Sequence, residues 1–203
     1  MASVIAREHL ARAARALNAR ARTRLPALIL MTDEKRLAQP LRAARVLPKG
    51  SAIVLRHTDP KIRESLAIQL KAIARARGLL LLIAGDARLA ARIDADGVHL
   101  SEARAREAQS LKLRRPDWLI TAAAHSFRGL RVAAVSGADA AILAPIFPTE
   151  SHRERASLGA SRARLMAAQA ALPVYALGGV DARNAAQLCG FTGIAAIGAL
   201  IPD

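Results

Sequence analysis

Short aliphatic runs alternate with longer stretches rich in alanine and arginine, and this alternation repeats from residue 26 to the end. The runs Ala27–Met31, Ser51–Leu55, Leu79–Ala84, Gly97–Leu100, Leu119–Ala124, Ala140–Leu143, Val174–Leu177 and Gly193–Ile197 have strand length and little polar content. A strand buried on both faces reads as such a run, whereas a half-exposed strand alternates. Between them, Glu34–Val46, Pro60–Arg77, Ala87–Ile93, Glu102–Leu111, Phe127–Val135, Ala160–Ala171 and Asp181–Leu188 space their apolar residues as helices do. Asp59-Pro60 supplies an N-cap followed by proline at the first helical position. Asp181, after Gly178-Gly179-Val180, reads as a second cap.

Regular alternation of strand and helix predicts a parallel sheet covered on both faces. Eight strands in a chain of 203 residues fit one closed (β/α)₈ TIM barrel of α/β class, a single domain over 1–203. An open dinucleotide-binding sheet would carry a glycine-rich turn after its first strand. Here Met31-Thr32-Asp33-Glu34 follows it, with no glycine. The final helix is truncated, since Ile201-Pro202-Asp203 comes directly after the eighth strand. Something else must then cover that strand: an extra N-terminal helix or a partner subunit. Met1–Arg24 is arginine-rich and nearly free of acids, the composition of a mitochondrial transit peptide. Its Val4, Ile5, Leu10 and Leu17 nevertheless recur at helical spacing, which favours a structural helix.

Composition then narrows the picture. Aromatics make up only 2% of the residues, so an aliphatic core is expected. The one cysteine, Cys189, excludes an intramolecular disulfide, fits a cytoplasmic location and reads as core. No apolar run approaches the roughly 20 residues of a membrane-crossing helix. The net charge of +15 favours anionic ligands. The arginines are spread among alanines without interleaved aromatics, which argues against nucleic acid as the partner.

In a barrel of this kind the chemistry sits where strands end, and phosphate favours the loops after strands seven and eight. Those positions carry Arg56-His57-Thr58-Asp59, Gly85-Asp86, Ser101-Glu102-Ala103-Arg104, His125-Ser126, the segment from Pro145 to His152, Gly178-Gly179 and Gly198. Two adjacent glycines let backbone N–H groups approach an anion closely, or they simply serve a turn with positive φ. His99, within a strand, is expected to be a satisfied barrel histidine.

Asp94–Leu100 (DADGVHL), Gly137–Thr149 (GADAAILAPIFPT) and Leu172–Val180 (LPVYALGGV) resemble, in order and spacing, the thiamine phosphate synthase/TenI family, over about Leu28–Ile201. The resemblance implies a TIM barrel that binds a small phosphorylated heterocycle. Synthases of the family join a pyrimidine diphosphate to a thiazole phosphate with help from Mg²⁺. TenI-like members aromatise a thiazole carboxylate phosphate without metal.

Against the synthase pattern, Gln-x-Arg-x-Lys reads Val54-Leu55-Arg56-His57-Thr58 and keeps the arginine, while Asn-Asp reads Gly85-Asp86 and keeps the aspartate. The second magnesium carboxylate corresponds to Arg104 and the strand-five serine to Ala123. The lysine closing Thr-x-Thr-Lys corresponds to His152, after Thr149 and Ser151, and the serine after strand eight to Gly198. By this resemblance no metal ligand is expected, His125 is the catalytic histidine, and Arg56, Asp86, Arg104, Thr149, Ser151, His152, Gly178, Gly179 and Gly198 bind substrate. Asp86 is equally suited to cap the helix at Ala87. Three readings stay open: a tautomerase, a synthase with a rearranged diphosphate site, and a non-catalytic phosphate-ligand protein. Whether the chain is a homo-oligomer also stays open.

Overall fold

The computed structural model describes residues 3–149 and 156–201. The predicted aliphatic runs form eight parallel strands: β1 (Leu28–Met31), β2 (Ala52–Leu55), β3 (Leu80–Ala84), β4 (Gly97–Leu100), β5 (Leu119–Ala124), β6 (Ala140–Leu143), β7 (Val174–Ala176) and β8 (Gly193–Ala196). They pair in sequence order, and β8 returns to β1 with Leu28 opposite Ile194 and Leu30 opposite Ala196. The sheet is a closed barrel. Closure leaves no edge strand, and it places every strand's C-terminal end on one rim.

The helices are α1 (Val4–Ala21), α2 (Pro40–Arg45), α3 (Pro60–Arg77), α4 (Ala87–Arg92), α5 (Ala108–Arg114), α6 (Phe127–Val135) and α7 (Ala160–Ala168). As expected, α3 is capped by Asp59, whose carboxylate accepts the N–H groups of Lys61 and Ile62. In α1, Ser3 caps the start, and Leu10, Ala11, Ala14 and Leu17 form the buried stripe. That stripe packs against β1, β8 and the turn Gly198–Leu200. The N-terminal helix thus covers the last strand. Val4 and Ile5, expected on the same face, are exposed in its first turn.

Four helical segments depart from what the spacing predicts. Residues 34–39 are not helical: Asp33 takes the N–H groups of Lys35 and Arg36 in a local turn. Pro40 keeps Gln39 out of the helical region, with φ −124° and ψ 68°, and α2 begins only after it. The segment after Asp181 forms only a 3-10 turn, Ala185–Gln187. Asp181 accepts from the N–H groups of Arg183 and Asn184, while Asn184 accepts the Asp181 N–H and donates to Gly179 O. These side chains offer the backbone an alternative to the helix ladder. The sequence after β4 starts as a 3-10 turn, Glu102–Glu107, before α5. Finally, α7 stops at Ala168.

The core is aliphatic, with Tyr175 its largest fully buried side chain. The Tyr175 hydroxyl donates to Pro26 O at 2.5 Å, fastening β7 to the chain entering β1, and burial pushes its pKa up. Tyr175→Phe strands that carbonyl without its donor. It should cost about 1–2 kcal/mol, roughly 2–8 °C in Tm. An unchanged melting temperature would contradict the assignment.

Candidate active site

The rim is built from the loops that follow each strand. After β1, buried Thr32 ties two strand ends together: its hydroxyl accepts the Arg56 N–H at 2.8 Å and donates to Arg56 O at 3.2 Å. The Arg56 side chain turns back, Nε to Thr32 O at 2.9 Å and Nη2 to Asp33 Oδ2 at 3.1 Å. Burial lowers its pKa, Asp33 opposes that and nearby Arg36 adds to it. A guanidinium remains charged under such shifts. Arg56 is therefore a half-buried cation fixed at the rim.

Asp86 is engaged on both oxygens. Oδ1 accepts the Leu89 N–H as N-cap of α4, and Oδ2 pairs with Arg63 at 2.9 Å. Arg104 does not pair with Asp86 directly. Its guanidinium grips Glu107 through two N–H groups and donates to Gly85 O at 2.6 Å. The bond to Glu107 raises the pKa of Arg104. Glu102 accepts the His125 backbone N–H at 2.6 Å and lies against Gly129, where a Cβ would sit 2.8 Å from its carboxyl carbon.

His125 follows β5 and is exposed. Its Nδ1 lies 2.8 Å from Ala144 O, and a carbonyl accepts only, so Nδ1 carries the proton and donates. Nε2 then holds the lone pair. His99 pairs Nδ1 with the Thr121 hydroxyl at 2.9 Å, a buried and satisfied histidine as expected. Burial, aided by the charge of Arg56, lowers its pKa to about 3.

Gly178 and Gly179 have φ of 97° and 64°. A Cβ at Gly179 would come 2.4 Å from Pro148 O, and one at Gly178 2.9 Å from Pro145 Cα. The pair therefore serves a left-handed turn against the loop after β6, whose Phe147 N–H donates to Gly178 O. Thr149 is half-buried at the end of that loop, while Ser151 and His152 lie outside the described residues. Gly198 opens the turn after β8.

Three rim groups escaped the sequence reading. Thr32, Asp33 and Arg36 follow a strand whose loop was read only for absent glycines. Their cue was the same as for the other loops, namely their place after a strand. Cys189, expected in the core, is exposed, with Arg20 Nη1 3.5 Å from its sulfur. It borders a groove of about 400 Å³ between α1 and the turn at 185–187, on the flank of the barrel. The convergent charged groups are at the rim instead. Among the described residues no cluster of three His, Cys, Asp or Glu is poised for a metal, and no helix is long and apolar enough to cross a membrane.

A closed eight-stranded α/β barrel whose rim gathers guanidiniums and an open histidine belongs to the class of TIM barrels. The sequence profile of the family described as thiamine monophosphate synthase matches residues 28–200, and the chain belongs to that family. It is 35% identical over 161 residues to a putative thiamine-phosphate synthase 2 of Aquifex aeolicus, spanning 77% of this chain and 86% of that protein. It is 32% identical over 142 residues to the thiamine-phosphate synthase of Geobacillus kaustophilus, spanning 68% of this chain and 64% of that one. Among solved structures, the thiamine phosphate pyrophosphorylase from Pyrococcus furiosus superposes with a TM-score of 0.71 at 25% identity, covering 87% of each chain.

The buried histidine has a measurable consequence. An unfolded histidine titrates near pH 6.5, whereas His99 stays neutral in the fold down to about pH 3. The unfolded chain therefore binds the proton first, so stability is intact above about pH 6.5 and drains away as pH falls. Urea unfolding at pH 7, 6, 5 and 4 should show wild type losing more per pH unit than His99→Gln, by up to ~1.4 kcal/mol. Equal slopes would contradict it.

Proposed function

We propose that the rim binds a thiazole or thiamine phosphate and that His125 moves a proton on it, as in a thiazole tautomerase. The observation that carries the reading is the His125 Nδ1–Ala144 O bond, which leaves Nε2 as an exposed base on a fixed ring. Such a base takes a proton from one ring carbon and returns one to another. Atoms and charge balance without a co-reactant. An imidazole, able both to accept and to donate a proton, is suited to both halves of that transfer.

The donor set supports the same reading. The family's synthases use magnesium, a hard cation that wants several oxygen ligands. The Asp86 oxygens are taken by an N-cap bond and by Arg63, Glu102 holds the His125 N–H, and Arg104 brings a guanidinium to the place of a carboxylate. These residues do not fit a magnesium ion. A second reading, condensation of a pyrimidine diphosphate with a thiazole phosphate, is favoured by the similarity to a putative and a named thiamine-phosphate synthase. In that reading Arg56, Arg104 and His152 hold the diphosphate, with Thr149 and Ser151 beside them.

Both activities are assayed on one preparation. Thiazole aromatisation is expected in EDTA, and His125→Asn should lower it by about 10²–10⁴-fold while leaving ligand binding within roughly threefold. Condensation is expected to be negligible with or without Mg²⁺. EDTA-sensitive condensation at rates that His125→Asn leaves unchanged would overturn the proposal. EDTA-resistant condensation would establish the second reading.

A further inference from the structure

The strands of the barrel are parallel, so the helices that connect them run the opposite way. Helix C-terminal turns and the loops entering each strand therefore gather at the end opposite the rim. Three neighbouring segments there, 21–27 before β1, 45–51 before β2 and 75–79 before β3, contain no Asp or Glu. They carry Arg22, Arg24, Arg45, Lys49, Arg75 and Arg77, all exposed. The segments touch. Gly50 N–H donates to Gly78 O at 2.8 Å, Arg77 Nη2 donates to Leu47 O at 3.3 Å, and the Lys49 stem lies against Gly78. Arg15 of α1 and Lys49 border one small depression beside the start of β1.

At the rim, guanidiniums are matched by carboxylates: Arg56 by Asp33, Arg63 by Asp86 and Arg183 by Asp181. At the opposite end Arg22, Arg24, Arg45, Lys49 and Arg75 form no ion pair among the described residues. Cations in a last helical turn offset the helix dipole, and Arg45, Arg75 and Arg77 do so. Arg24 and Lys49 stand in loops, where that reason does not apply. Carboxylates at this end lie before β4, β5 and β6, at Asp94, Asp96, Asp117 and Asp139, and Lys71 and Lys112 already hold Asp96 and Asp139. Apolar side chains emerge at the same end. Val46 follows α2, and Leu113 and Val135 lie in the last turns of α5 and α6. Leu113 and Val135 are 83% and 82% exposed, the highest values among the large apolar residues described.

Uncompensated cations beside protruding aliphatic side chains match a bilayer, whose headgroups are anionic and whose acyl boundary is apolar. Nucleic acid offers the anions but leaves the aliphatic groups in water. Among the described residues no aromatic side chain is exposed at this end for a base to stack on. We propose that the end of the barrel opposite the rim docks on an anionic lipid surface, chiefly through the sector entering β1, β2 and β3. The rim then faces solution, and the docking does not depend on what the rim binds.

The test is flotation of the full chain with vesicles of mixed phosphatidylglycerol and phosphatidylcholine, and with vesicles of phosphatidylcholine alone. The mixed vesicles should carry the protein at about 0.05 M salt and release it at about 0.5 M, where screening is short-ranged. Phosphatidylcholine alone should not carry it. Each cation near an anionic leaflet strengthens binding about fivefold, so Arg24→Glu, Arg45→Glu and Arg75→Glu combined should weaken it at least ~100-fold. A charge-matched control toward the rim ends of α4 and α7, Arg88→Glu, Arg162→Glu and Arg164→Glu combined, should weaken it by less than about threefold. Leu113→Ser with Val135→Ser should weaken it about three- to tenfold. All variants are checked for an unchanged melting temperature. Equal weakening by the two charge variants would assign the binding to overall charge and overturn the proposal, as would failure to float with the mixed vesicles. Tighter binding of a short nucleic-acid duplex that the Leu113 and Val135 changes leave untouched would overturn the lipid as occupant.

Discussion

Everything at the rim depends on the hydrogen bonding of β8 to β1. Without that closure, the loops after the first and last strands would stand at opposite edges of an open sheet. With it, Ile194 N–H donates to Ala27 O and the turn at Gly198 faces the loop holding Asp33 and Arg36. The seam is protected by the N-terminal helix, whose Asn18 side chain donates to both Leu25 O and Thr192 O and so ties together the segments entering β1 and β8. A helix that precedes β1 thus packs over β8 and the turn Gly198–Leu200.

The second constraint is charge. Arg56 takes Asp33, Arg63 takes Asp86, and Arg104 takes Glu107. Half-exposed pairs of this kind add little to stability, typically under about 1 kcal/mol each. Their importance lies in what they remove: Asp33, Asp86 and Glu107 are already engaged with guanidiniums. His125 differs from these groups because its proton is placed by a backbone carbonyl, so its basic nitrogen does not depend on the ionic network.

The barrel was legible in the sequence because burial on both faces leaves an unmistakable record of short aliphatic runs at regular intervals. All eight strands lie where those runs are. The helices were less legible because polar side chains compete locally with the helix ladder. Asp33 and Asn184 turn the backbone aside, and neither effect shows in apolar spacing. Site positions such as Arg56 and His125 could be located from strand ends alone. Their partners could not, since Ala144, Thr32 and Glu107 are chosen by loop conformation. Gly178 and Gly179 illustrate the gap. They read as an anion cradle or as a turn, and only the close approach of Pro145 and Pro148 reveals how tightly the turn itself requires them.

The most direct measurement is a crystal structure of the protein grown with a thiazole phosphate. Ligand density at the rim, with the heterocycle directed toward His125 Nε2, is the predicted result. Ligand bound in the flank groove beside Cys189, with the rim empty, would contradict the account.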